Sequence, residues 1–177
     1  MLCLRAPSAA ASLRDMEERS PIRPTDDEAR RLARELLAGA SHGALAVLDP
    51  ATGAPSVTRI AVALDPGGVP LTLVSDLSSH TRALRADPRA SLLLGEPGDR
   101  GDPLTHPRIT LAVEAAFVPR DSPDHAALRA HWVARRPKSK LYVDFADFSF
   151  VRLRPASAAL NGGFGKAFEL TAGDLLP

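Results

Sequence analysis

A mainly β domain with flanking helices, an α+β fold built on a closed or partly closed antiparallel barrel, is the architecture this sequence predicts. Three observations carry it. Short apolar or alternating runs recur at residues 44–48, 56–64, 71–75, 89–95 and 108–118. The first three are joined by Asp49-Pro-Ala-Thr-Gly53 and Asp65-Pro-Gly-Gly68, turn sequences of the kind that connect antiparallel strands. Both connections are too short for the roughly dozen residues of a parallel crossover, which disfavours βαβ winding.

The elements follow in order. Residues 1–24 are rich in Ala, Ser, Arg and Pro and are expected to form a disordered leader, with Met16 as an alternative initiator. Residues 25–177 then form a single domain. It opens with a helix announced by Thr25 as N-cap and Glu28 three residues on, a capping box, and closed by Gly39. Leu32, Ala33, Leu36 and Leu37 give this helix one apolar stripe. The next three strands are expected to form a β-meander. A short helix at 79–86 stops before Asp87-Pro88, because the residue preceding a proline avoids the helical region. Strand resumes at 89–95, and a Gly/Pro/Asp loop leads into the long alternating strand at 108–118. Ser122-Pro123-Asp124 is expected to cap a helix reaching Arg136, with proline at its first position. The final strands are expected at 148–153 and 157–160.

Composition narrows the function. With 177 residues, 45% hydrophobic and 24% charged, the chain can bury one proper core but not two full domains. A net charge of +1 without any dense Lys/Arg run argues against nucleic acid and points to a small charged partner. The single cysteine, Cys3, supplies neither a disulfide framework nor a thiolate metal site, which suits a reducing cytoplasm. No apolar run approaches the roughly 18 residues of a membrane helix. His42, His80, His106, His125 and His131 have no metal-ligand spacing, so no metal site is expected, although one histidine suffices to hold a haem iron. There is no serine nucleophile elbow, P-loop or dinucleotide glycine fingerprint. Tyr142, Phe145, Phe148 and Phe150 read as core or dimer interface.

One segment carries chemistry. A helix starting near Ser78 or Ser79 exposes unpaired backbone N–H groups and a partial positive charge, where acidic residues normally sit. Here the first turn holds Ser79, His80, Thr81 and Arg82. Two potential cations at that terminus cost about a few tenths of a kcal/mol unless an anion such as phosphate lies among them. Arg59, alone among apolar neighbours in the second strand, lies beside the strand that delivers this helix and can give an anion paired hydrogen bonds. Solvated side chains are the alternative reading of both features.

Together, Arg59-Ile-Ala-Val-Ala-Leu64, Val74-Ser75-Asp76 and the Ser/basic helix start ending at Asp87-Pro88 resemble the pyridoxamine 5'-phosphate oxidase-like flavin-binding split barrels, over roughly residues 27–168. Ser75-Asp-Leu-Ser-Ser-His-Thr81, Asp87-Pro-Arg-Ala-Ser-Leu-Leu-Leu94, Asp102-Pro103 and Gly162-Gly-Phe-Gly-Lys-Ala167 look most like its haem-utilisation (HugZ-type) branch. The resemblance implies an antiparallel FMN-binding split β-barrel, a homodimer with the cofactor between protomers, and an FMN-dependent oxidoreductase acting on a small molecule. It implies that Arg59, Ser75, Ser79, His80, Thr81 and Arg82 hold phosphate and ribityl, and that Ile60, Ala61 and Val62 present backbone to the ring. The family's basic pair falls at Ser79 and His80, so one base has become serine. A family glutamine falls at Arg108, and the flavin-contacting segment falls near Ser139 and Lys140. The tryptophan strand and Arg-Leu-X-Pro ending of the true oxidase are missing, which counts against pyridoxamine phosphate as substrate. Phe164, among its glycines, is a candidate contact for a flat ligand. Two rivals stay open: a haem-binding or haem-degrading protein on the same fold, and a non-catalytic flavin-binding interaction module.

Overall fold

The computed structural model describes residues 22–176, so the expected leader falls outside the described residues except at its end. There Ile22–Arg23 forms a short strand, β1, running parallel to the last strand of the sheet, which moves the boundary of the ordered chain ahead of Thr25. Helix α1 (Asp27–Gly39) follows, then β2 (His42–Leu48), β3 (Pro55–Ala61), β4 (Ala63–Leu64), β5 (Pro70–Ser75), α2 (Ser79–Ala86), β6 (Arg89–Leu94), β7 (Arg108–Phe117), α3 (His125–Arg135), β8 (Phe148–Asn161), β9 (Ala167–Thr171) and α4 (Ala172–Leu175). The strands form one mixed sheet in the order β1-β9-β8-β7-β6-β2-β3, from which β5 branches by pairing with both β4 and β8. This is the split-barrel α+β fold expected, open rather than closed.

The branch corrects the expected meander. Val62 leaves the ladder, its N–H donating to the Ser41 carbonyl at 3.0 Å. Beyond it only Ala63 and Leu64 pair with β5, and β5 crosses to β8. β3 is left on the edge of the sheet beside β2. A second correction concerns β8, a single strand where two were expected. Its register against β7 shifts so that Ala112 faces Ser157 and Val113 faces Pro155, which leaves Ala156 as the extra residue of a bulge. A proline without an N–H is tolerated at such an irregularity. The bend lets one strand serve two neighbours, β5 with its first half and β9 with its second.

Two caps also differ from expectation. Asp26, not Thr25, caps α1, its carboxylate accepting from the Ala29 N–H at 2.8 Å, while the Thr25 hydroxyl donates to the Glu169 carbonyl at 2.6 Å. α3 begins after Asp124, so Pro123 lies ahead of the helix instead of at its first position. The Asp124 carboxylate makes no cap bond because it accepts from the Ser122 hydroxyl and from Arg152.

The core follows from alternation. Leu45, Leu92, Ile109, Leu111, Val151 and Leu153 are fully buried on the inner face, and α1 lays Ala29, Ala33 and Leu37 against them. A second cluster gathers Leu71, Val118, Leu128, Val143 and Phe150 around Trp132 under α3, where the Trp132 and Phe150 rings meet edge-on with centroids 6.0 Å apart. Among the described residues no helix is long and apolar enough to cross a membrane.

Gly95 sets how β6 hands over to the loop before β7. Its φ is +102°, and a Cβ there would lie 2.6 Å from the Pro107 carbonyl oxygen and 2.8 Å from the Arg108 Cα. Both neighbours are backbone and cannot swing away. Gly95→Ala should therefore destabilise the fold by roughly 3 kcal/mol, adding backbone strain to overpacking. Urea unfolding would measure it, and an unchanged midpoint would refute the reading.

Candidate ligand site at the start of α2

The site is built where three segments meet. β3 runs into the Ala63–Leu71 pairing with β5, and the two strands remain in contact although the ladder is broken at Val62. Ser75 ends β5 opposite Phe148 of β8, and the Asp76 N–H donates to the Asp147 carbonyl at 2.7 Å. α2 starts immediately beyond, bounded as the sequence predicts.

Individual side chains differ in what they leave open. Arg59 is exposed on the outer face of the edge strand, opposite Ala44, with no hydrogen-bond or ion-pair partner. Ser79 is exposed and equally unpartnered. His80 is half-buried, its ring nitrogens make no hydrogen bond, and burial pulls its pKa below the ordinary histidine value. That keeps the imidazole neutral at pH 7. Ser78, the N-cap, makes no side-chain cap bond, and the first turn of α2 contains no acid. The terminal N–H groups and their partial charge are thus unanswered by α2's own residues.

Other expected contacts are engaged inside the protein. The Ser75 hydroxyl donates to the Asp147 carboxylate at 2.6 Å and accepts from the Leu77 N–H at 3.2 Å. Thr81 is fully buried, its hydroxyl donating to the Ser75 carbonyl at 2.7 Å. Arg82 folds back to the Leu77 carbonyl at 3.2 Å. Ile60 points into the core, Ala61 pairs with His42, and both backbone groups of Val62 are taken, the N–H by Ser41 and the carbonyl by Arg136 at 2.7 Å. Both backbone groups of Val62 thus already have a partner inside the protein.

Arg108 and Lys140 stand apart from this cluster. Arg108 begins β7, three places from β3 in the strand order, and its guanidinium donates to the Leu104 carbonyl at 2.9 Å. Lys140 is exposed on the 3-10 turn Pro137–Leu141, which the Arg136–Val62 bond holds against the end of β3. Ser139 is buried, its hydroxyl closing that turn on the Arg136 carbonyl at 2.7 Å. Phe164 is 95% exposed at the tip of the β8–β9 hairpin, away from the α2 start.

Sequence reasoning missed Asp147. It sits 72 residues from Ser75 in a segment with no motif, and only the β5–β8 pairing brings it to the site. It also missed the outer face of the sheet, where Ala44, Ala46, Val57, Leu93, Ala112 and Ala159 form a patch of small and apolar side chains bordered by Arg59, Glu114 and Glu169. Strand alternation would have located that face had the strand order been known.

Comparison with known proteins bears on the site. The model of a family described as CREG, beta-barrel matches residues 24–174. The chloroplastic non-canonical heme oxygenase HOZ of Arabidopsis thaliana is 36% identical over 154 residues, covering 83% of this chain. The match takes in 46% of HOZ, so the chain spans about half the length of this curated relative. Among solved structures, a heme binding protein from Mycobacterium smegmatis superimposes with a TM-score of 0.75 at 34% identity, over 86% of this chain and 60% of that one. HutZ, a heme storage protein from Vibrio cholerae, matches with a TM-score of 0.61 at 23% identity, over 73% of this chain and 89% of its own, a likeness of fold alone.

Proposed function

Because the chain belongs to the CREG β-barrel family, a split-barrel relative of the pyridoxamine 5'-phosphate oxidase fold, we propose that it is a haem-binding protein of the haem-utilisation kind and uses the α2 start as part of its ligand site. The observation that carries the reading is His80. Of the five histidines, His42, His106 and His131 have ring nitrogens in hydrogen bonds, and His125 packs its ring edge-on against Phe150. His80 alone has neither a hydrogen bond nor a ring packed on it, and burial lowers its pKa, which favours the neutral state in which an imidazole nitrogen can ligate iron. Arg59 would pair with a propionate, and Leu77, 83% exposed beside the helix start, would offer apolar contact. Haem, when bound, supplies an iron centre for redox and oxygen chemistry; the protein's part is to ligate, orient and shield it.

FMN fits the same residues less well. Arg59 and Ser79 are free to meet a phosphate, and they are what favours a flavin. The hydroxyls of Ser75 and Thr81 already donate elsewhere, and both Val62 backbone groups already have a partner. The patch of small and apolar side chains on the outer sheet face suits a second copy of the chain, so the working form in this proposal is a homodimer.

Haemin and FMN titrated separately into the full chain distinguish the ligands. Haemin should bind with a Kd of about 1 μM or tighter and a shifted Soret band, and FMN at least about tenfold more weakly. Sedimentation of the same samples should give twice the chain mass. Tight FMN binding with no Soret shift would overturn the reading.

A further inference from the structure

We infer that Asp147 sets the ligand class of this site by excluding phosphate. The inference rests on the haem reading above and extends it to the residue that turns a fold with a phosphate seat away from flavin.

The α2 start has the ingredients of an anion seat: unpaired N–H groups, an unpartnered Arg59 and no acid in the helix's first turn. Asp147 contradicts it from across the β5–β8 ladder. Its carboxylate takes the only proton of the Ser75 hydroxyl at 2.6 Å, and one lone pair of the oxygen accepts from the Leu77 N–H. The hydroxyl that should donate to a phosphate presents only lone pairs. The carboxylate also brings a negative charge to the seat. Its neighbour Asp76 is neutralised by Arg85 at 2.7 Å, and Arg85 in turn lies over the Phe117 ring. Asp147 has no cation in ion-pair contact among the described residues. A dianionic phosphate placed at the helix start would face that charge in partly desolvated surroundings, where repulsion is strongest.

The backbone that carries Asp147 is held in place. Arg120 donates to the carbonyls of Asp144, Phe145 and Phe148, and Arg129 holds the Asp144 carboxylate with a bond of 2.6 Å from Nε. The Asp147 carbonyl is fixed by the Asp76 N–H. These arginines grip the backbone around Asp147 and leave its carboxylate charge unanswered.

The test compares FMN with riboflavin, which share the ring and differ in the phosphate, on the full chain and on Asp147→Asn and Asp147→Ala. Asparagine removes the charge and keeps the shape, whereas alanine also releases the Ser75 proton. FMN affinity should rise at least tenfold in Asp147→Asn and further in Asp147→Ala, with riboflavin unchanged. A tenfold change is about 1.4 kcal/mol. Far-ultraviolet circular dichroism and a urea midpoint close to those of the parent show that both variants are folded. Unchanged FMN affinity in both variants, or FMN and riboflavin rising together, overturns the inference. Failure of the haem reading shows separately, as absence of a Soret shift in the unsubstituted chain, and leaves the FMN-to-riboflavin ratio to decide Asp147.

Discussion

His80→Ala should remove the Soret shift that haemin gives with the full chain and weaken haemin binding at least about tenfold. The expectation follows from what surrounds the ring. A histidine that is to hold a haem iron must be neutral and must have a nitrogen not already engaged. Burial depresses the pKa of His80, and no hydrogen bond ties either nitrogen. The sign of the pH dependence follows. Protonating the ring destroys the ligand, so haemin binding should hold through neutral pH and be lost as the solution is acidified below the ordinary histidine range. His125→Ala is the matched control, because that ring also lacks a hydrogen bond but is packed edge-on against Phe150, with centroids 5.5 Å apart. Its spectrum should match that of the unsubstituted chain. If the two variants bind haemin equally well, the ligand is neither of them and the role assigned to His80 falls.

What could be read from the sequence depended on whether the deciding contact was local. The ends of α2 were legible because a serine-rich turn precedes it and Asp87-Pro88 forbids its continuation, both effects acting within a few residues. The long β7 strand was legible from alternation alone, with Ile109, Leu111, Val113 and Ala115 inward. The α1 cap was not. Thr25 and Asp26 are both good caps, and the choice was made by Glu169, whose carbonyl takes the Thr25 hydroxyl from 144 residues away. Pro155 suggested a break in the last strand, because a proline's tolerance depends on whether the partner strand accepts a bulge, which β7 does. The same division runs through the site. Arg59 and the helix start were recognisable as anion-seeking from their own residue types. Ser75 looked like a donor to a ligand until Asp147, brought alongside by strand pairing, claimed its proton. A sequence motif shows which groups a site has available; long-range pairing decides which of them remain available.

Arg152→Met should destabilise the protein by about 3 kcal/mol, the cost of leaving a buried carboxylate without its cation. Arg152 lies on β8 between Leu71 of β5 and Ala116 of β7, and its guanidinium reaches in two directions. Nε meets the buried Asp65 at 2.8 Å, in the β4–β5 turn, and Nη2 meets Asp124 at 2.5 Å, ahead of α3. Asp65 also closes its own turn, with one oxygen accepting from the Gly67 and Val69 N–H groups at 2.9 and 3.0 Å. These bonds keep the carboxylate in place when Arg152 is gone, so its charge stays buried. Asp65→Asn in the Arg152→Met background should recover at least about 1 kcal/mol, because the amide retains an acceptor oxygen for the turn and carries no charge. Asp124 gives the arrangement a pH signature. The Ser122 hydroxyl and then Arg152 hold its pKa down to about 2, below the ordinary carboxylate value. A depressed carboxylate stabilises the fold above its unfolded pKa and loses that contribution as pH falls through the folded one, so this part of the stability should fade between about pH 4 and 2. The consequence reaches the ligand site through α3, which the His131–Leu64 and Arg136–Val62 bonds hold against the end of β3 beyond Arg59. Chemical unfolding of both variants and of Asp65→Asn alone, beside the parent, measures the coupling. Strictly additive losses would show that Arg152 and Asp65 act independently.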